Sequence, residues 1–149
     1  MAFNRIMFVC TGNICRSPMA EYLLKNHAGL AQEKYAVSSS GLGALVGHPA
    51  DPAVRALLEK DGISCSEHIA RQINQQMVDD ADIILVMENH HRQGLIKKFP
   101  QARSKVFLLL HHEQAGIVDP YTKDLSVFEQ VKYDIQRGLD QWVDTLRSV

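Results

Sequence analysis

The sequence predicts an α/β fold, a parallel sheet covered by helices on both faces, and three observations carry that prediction. Short apolar runs alternate with segments of helical periodicity along the chain. Two of the runs, Ile83-Ile84-Leu85-Val86-Met87 and Val106-Phe107-Leu108-Leu109-Leu110, contain no polar residue. Strands that face solvent on one side alternate instead, so these two are buried on both faces. A further run, Ile6-Met7-Phe8-Val9, leads through a glycine-containing turn straight into a helix start. Ligands of such folds bind where strands end in this way.

Taken in order, Ile6–Val9 is the first strand. Ser17-Pro18 then marks a helix start: a capping hydroxyl followed by a proline whose missing N–H has no intrahelical partner in any case. Met19, Ala20, Leu23 and Leu24 recur at helical spacing, with a stop at Gly29. Tyr35–Ser39 reads as a second, shorter strand. Residues 40–49 hold three glycines and a proline and read as a loop with Leu42 and Leu45 as its conspicuous apolar residues. Asp51-Pro52 opens a second helix with Val54, Leu57 and Leu58 as its stripe and Gly62 as its end. Asp79, Asp80 and Asp82 form a solvated edge before the strand at Ile83–Met87. Glu88–Phe99 is a helix ended by Pro100, and Val106–Leu110 is the last strand. The final helix has Ser126-x-x-Glu129 as a capping box, followed by Phe128, Val131, Ile135, Leu139, Trp142 and Leu146 on one face.

No repeat or linker divides residues 1–149, a length that suits one domain. A net charge of −1 offers no field for nucleic acid or an anionic membrane, so any phosphate recognition is local. No apolar run reaches membrane-spanning length, and the N-terminus lacks a signal-peptide pattern. Three cysteines, an odd number, argue against a disulfide framework and for a reducing, cytoplasmic setting.

The chemistry concentrates in Cys10-Thr11-Gly12-Asn13-Ile14-Cys15-Arg16-Ser17-Pro18. Backbone N–H groups from Thr11 to Arg16, curling round a tight turn at a helix N-terminus, make a concave anion site. Arg16 brings a planar fork that holds two phosphate oxygens at once. Cys10 at the start of the loop lies beneath that anion, in a field that favours its thiolate. Asn13 suits a left-handed turn position. The adjacent pairs His90-His91 and His111-His112 should point apart, which argues against a shared metal.

This stretch resembles the signature loop of the low-molecular-weight protein tyrosine phosphatases. The resemblance continues through Ser39-Ser40-Gly41, His68-Ile69-Ala70-Arg71-Gln72 and Asp119-Pro120-Tyr121, and so spans essentially the whole chain. It implies a three-layer fold with four parallel strands in order 2-1-3-4. It also implies a metal-free, cofactor-free hydrolysis of phosphotyrosine through a cysteinyl-phosphate. Cys10 is then the nucleophile, Arg16 and the loop amides (Thr11, Gly12, Asn13, Ile14, Cys15) bind the phosphoryl group, and Ser17 donates to the thiolate. By residues alone Asp119-Pro120-Tyr121 is a turn; the resemblance makes Asp119 the general acid, Ser39 and His68 braces for Asn13, and Tyr121 an aromatic wall beside Leu42 and Leu45.

Thr122 departs from the eukaryotic pattern, in which a second tyrosine follows. Gly41-Leu42-Gly43-Ala44-Leu45-Val46-Gly47 is similar to bacterial members that act on membrane tyrosine autokinases of polysaccharide export. Three rival readings share the loop. An arsenate reductase needs further cysteines, and only Cys65 is left. A protein-arginine phosphatase has threonine where Ile14 stands. A silent phosphate-binding module has no use for both Cys10 and Asp119. Cys15, five residues from Cys10, is expected to be its redox partner, capturing an oxidised Cys10 as a reversible disulfide.

Overall fold

A computed structural model describes residues 3–148. Four parallel strands, β1 (Arg5–Cys10), β2 (Ala36–Gly41), β3 (Ile83–Val86) and β4 (Val106–Leu108), form one sheet in the order β2-β1-β3-β4. This is the expected topology. In register, Cys10 lies opposite Gly41, and Val9 opposite Val86.

Among the described residues five α-helices cover the sheet: α1 (Arg16–Lys25), α2 (Pro52–Lys60), α3 (Gln75–Asp80), α4 (Asn89–Lys98) and α5 (Leu125–Arg147). The period of two along β1 sorts its side chains between two cores. Ile6, Phe8 and Cys10 join apolar residues of α1, α2 and α5, whereas Met7 and Val9 join Val78 of α3 and Leu95 of α4. Each large apolar side chain fully buried in this way contributes about 1.5–3 kcal/mol. The same parity turns Cys10 towards the layer of α1, the helix into which the following loop runs.

Several local expectations are corrected. Ser17 does not cap α1: Cys15 occupies that position, with no side-chain cap, and Ser17 is fully buried inside the first turn. The helix ends at Lys25, short of Gly29. β2 continues to Gly41, so Ser40 and Gly41 belong to the strand rather than to the loop. The acidic edge holds α3, capped by Asn74, whose side-chain oxygen accepts from the Met77 N–H (2.9 Å). Asp82 is bound rather than simply solvated, accepting from the N–H groups of Asn4 and Arg5 (both 2.9 Å). Asp124, not Ser126, is the N-cap of α5, and Ser126 lies within the helix. A true capping box occurs instead at α4, between Glu88 and His91.

Candidate active site

The loop from Thr11 to Cys15 connects β1 to α1 at the carboxyl end of the sheet. Among the described residues, no backbone N–H from Thr11 to Arg16 finds a protein acceptor. The loop's carbonyls, by contrast, are engaged: Thr11 accepts from the Gly43 N–H, Gly12 from Leu45 and Ile14 from Asp51 (3.0, 3.0 and 2.9 Å). Carbonyls turned outward leave the amides turned inward, the arrangement that binds an anion. Gly41 passes directly beneath. A Cβ there would lie 2.4 Å from the Thr11 carbonyl oxygen, so no other residue fits.

Asn13 takes the left-handed conformation (φ 59°) and is fully buried. Its side-chain amide donates to Ser17 Oγ (2.8 Å) and Ser39 Oγ (3.0 Å), and its Oδ1 accepts from the Arg71 N–H (3.0 Å). His68 Nε2 lies 2.7 Å from its carbonyl oxygen. Ser39 in turn donates to Glu21 (2.6 Å). Ser39, His68 and Asn13 are therefore brought together, with Glu21 and Arg71 as additional supports.

Cys10 Sγ lies 2.9 Å from Ser17 Oγ. The Ser17 oxygen accepts from Asn13, and its hydroxyl has two acceptors within reach, Cys10 Sγ and, at 3.5 Å, the Ser40 carbonyl. Arg16 is 2% exposed; one end of its guanidinium, Nη1, donates to Glu88 and to the Ile117 carbonyl (2.8 Å). Its buried Nε has no partner among the described residues. Asp119 Oδ2 stands 3.8 Å from Nη2 on an exposed segment after β4.

Glu88 and His91 are the site residues that sequence reasoning missed. Burial raises the Glu88 carboxyl, but the hydrogen bond and charge of Arg16 outweigh it and hold it below the usual range. His91 is 1% exposed; its Nδ1 accepts from the Glu88 N–H (3.1 Å) and its Nε2 meets Thr11 Oγ1 at 2.9 Å. Burial, then the charges of Arg16 and His90, push its pKa down to about 4. The unfolded chain takes up this proton nearer pH 6.5 and the folded chain does not, so stability is lost as pH falls between those values. Thermal unfolding midpoints measured from pH 7 to 4 should show that loss, and His91→Asn should flatten it.

A cavity of about 190 Å³ is lined by Cys10, Ile14, Cys15, Arg16, Asp119 and Tyr121, with Leu45 and the loop backbone. Leu42 does not reach it. Its side chain packs instead against the core beneath α4, near Gly94. Cys10, Cys15 and Cys65 are buried free thiols, and burial pushes the Cys15 thiol up. The two histidine pairs do not splay: the His90 and His91 rings lie 4.1 Å apart and those of His111 and His112 5.8 Å. Glu88, His90 and His91 bring ligand atoms within 4.8 Å of one another, yet both His91 nitrogens and the Glu88 carboxylate are already committed.

Residues 5–149 match the family model of the low molecular weight phosphotyrosine protein phosphatases. The probable low molecular weight protein-tyrosine-phosphatase EpsP of Ralstonia nicotianae is 43% identical, covering 97% of each chain. The crystal structure of the tyrosine phosphatase AmsI of Erwinia amylovora superposes with a TM-score of 0.90 at 38% identity, covering 98% of this chain and 94% of that one. The YwlE arginine phosphatase of Geobacillus stearothermophilus reaches the same TM-score at 31% identity, covering 97% and 94%. With its sheet order, its loop and these matches, the chain belongs to the low-molecular-weight phosphotyrosine protein phosphatases.

Proposed function

We propose that this chain hydrolyses phosphotyrosine through a cysteinyl-phosphate on Cys10. The observation that carries the reading is the run of acceptor-free amides from Thr11 to Arg16, joined by the partnerless Arg16 Nε, around a cavity that contains Cys10. The Cys10 thiolate attacks phosphorus, the phosphorus–oxygen ester bond breaks, and Asp119 gives its proton to the departing phenolate. Water then attacks phosphorus and yields its proton to Asp119, and the thiolate leaves as inorganic phosphate forms. The amides and Arg16 carry the equatorial charge in both steps. Cys15, lining the same cavity, is the residue available to trap an oxidised Cys10.

The exposed apolar side chains of Leu45 and Tyr121 line the mouth, and their chain neighbours Val46 and Val118 are exposed as well, which suits an aromatic phosphoester carried on a protein surface. Ile14 in the cavity lining favours phosphotyrosine over phosphoarginine, whose phosphatases place a hydroxyl there. A tyrosine autokinase of polysaccharide export, dephosphorylated on its cytoplasmic side, is the target supported by the Gly41–Gly47 stretch. No helix among the described residues is long and apolar enough to cross a membrane.

Asp119→Asn tests the assignment. Turnover of phosphotyrosine should fall about 10²-fold, with a far smaller loss on aryl phosphates whose leaving groups need no proton. Equal losses on both substrates would remove Asp119 as the acid. Assayed without metal or reductant, wild type should prefer phosphotyrosine to phosphoarginine, and the reverse preference would favour the arginine-phosphatase reading.

A further inference from the structure

We propose that His91 is a positioning residue for the phosphate cradle, tying its first residue, Thr11, to Glu88, the carboxylate that holds Arg16. The proposal rests on the phosphatase reading above. A neutral imidazole has one donor and one acceptor, and here both are spent on different halves of the site. Because Nδ1 accepts from the Glu88 N–H, the ring proton sits on Nε2, which donates to Thr11 Oγ1 (3.1 and 2.9 Å). The Glu88 side chain accepts in return from the His91 backbone N–H, closing the capping box, and also takes Nη1 of Arg16. One turn of α4 thus sets both the cation and the start of the loop.

The loop has need of such a brace. Its inward amides are like-oriented dipoles that oppose one another, so their convergence must be imposed from outside. The Asn13 end has Ser17, Ser39, His68 and Arg71 for this. At the Thr11 end the carbonyl is held by Gly43 and the hydroxyl by His91 alone among the described residues. Loosening that end should cost most where charge on the equatorial oxygens is greatest, in the transition state.

A double-mutant cycle separates this role from simple packing. Thr11→Val and His91→Asn should each lower kcat about fivefold with KM little changed. Vanadate, which adopts the transition-state geometry, should lose affinity by a similar factor, and inorganic phosphate by less. The double variant should be no worse than the weaker single, since both remove one bond. Thr11→Ser, which restores the hydroxyl, should recover wild-type values and keeps the test open if His91→Asn folds poorly. Losses that multiply in the double variant, a Thr11→Ser as impaired as Thr11→Val, or unchanged single variants would overturn the brace. Absence of turnover in wild type would instead count against the phosphatase reading, and the cycle would then be read in vanadate affinity.

Discussion

Cys10→Ser is expected to abolish turnover, by about 10³-fold or more, while leaving the binding of inorganic phosphate measurable by calorimetry. The two readouts separate because different atoms serve them. Binding draws on the amides from Thr11 to Arg16 and on the guanidinium, none of which the substitution touches. Bond making draws on the sulfur, whose place a far less nucleophilic serine hydroxyl takes. The neighbouring Ser17 hydroxyl, 2.9 Å from Cys10 Sγ, can donate to a thiolate but does not ionise an alcohol. Residual activity within about tenfold of wild type would remove Cys10 as the nucleophile.

Arg16→Lys should be nearly as damaging, with kcat lower by about 10²-fold or more and KM raised. Charge is retained, so the loss reports geometry. In the native site Nη1 is fully occupied by Glu88 and the Ile117 carbonyl, which leaves the partnerless Nε and Nη2, 3.8 Å from Asp119 Oδ2, as the edge to meet two phosphate oxygens. A lysine has one nitrogen for both duties. Held by the Glu88 carboxylate in a site as buried as this one, it will be drawn to the acceptors and away from the substrate. A lysine variant within about threefold of wild type in kcat/KM would show that charge alone suffices at this position.

Much of this arrangement was legible before any coordinates. Apolar runs without a polar break identified β3 and β4, and the Cys10–Pro18 stretch located the loop between a strand and a helix. Hidden features share one physical trait: they depend on partners distant in sequence. Glu88 and His91 look like an ordinary helix start until the sheet order places β3 beside β1 and brings Arg16 and Thr11 to them, 72 and 80 residues away. Ser17 has the residue type of a cap, and only the fold reveals that Asn13 and Cys10 claim its hydroxyl. Ser126 and Asp124 are both good caps by type; the helix starts after Asp124, whose side chain makes no capping bond, so residue type did not decide the boundary. Leu42 and Leu45 are alike by composition, but the turn after β2 sends them apart: one packs beneath α4, and the other stands 39% exposed at the cavity mouth.

The site's two halves differ sharply in how firmly they are held. Asn13, Arg16, Ser17 and Ser39 are buried and interlocked, so altering any one leaves a neighbour without its partner. Tyr121 and Leu45 are exposed residues on the cavity rim, outside that network. In evolutionary terms the first group is frozen and the second is free to drift. A lineage can exchange the rim to suit a new phosphoprotein without reopening the problem of binding phosphate. Diversity of targets on a constant chemistry is the outcome such a division permits.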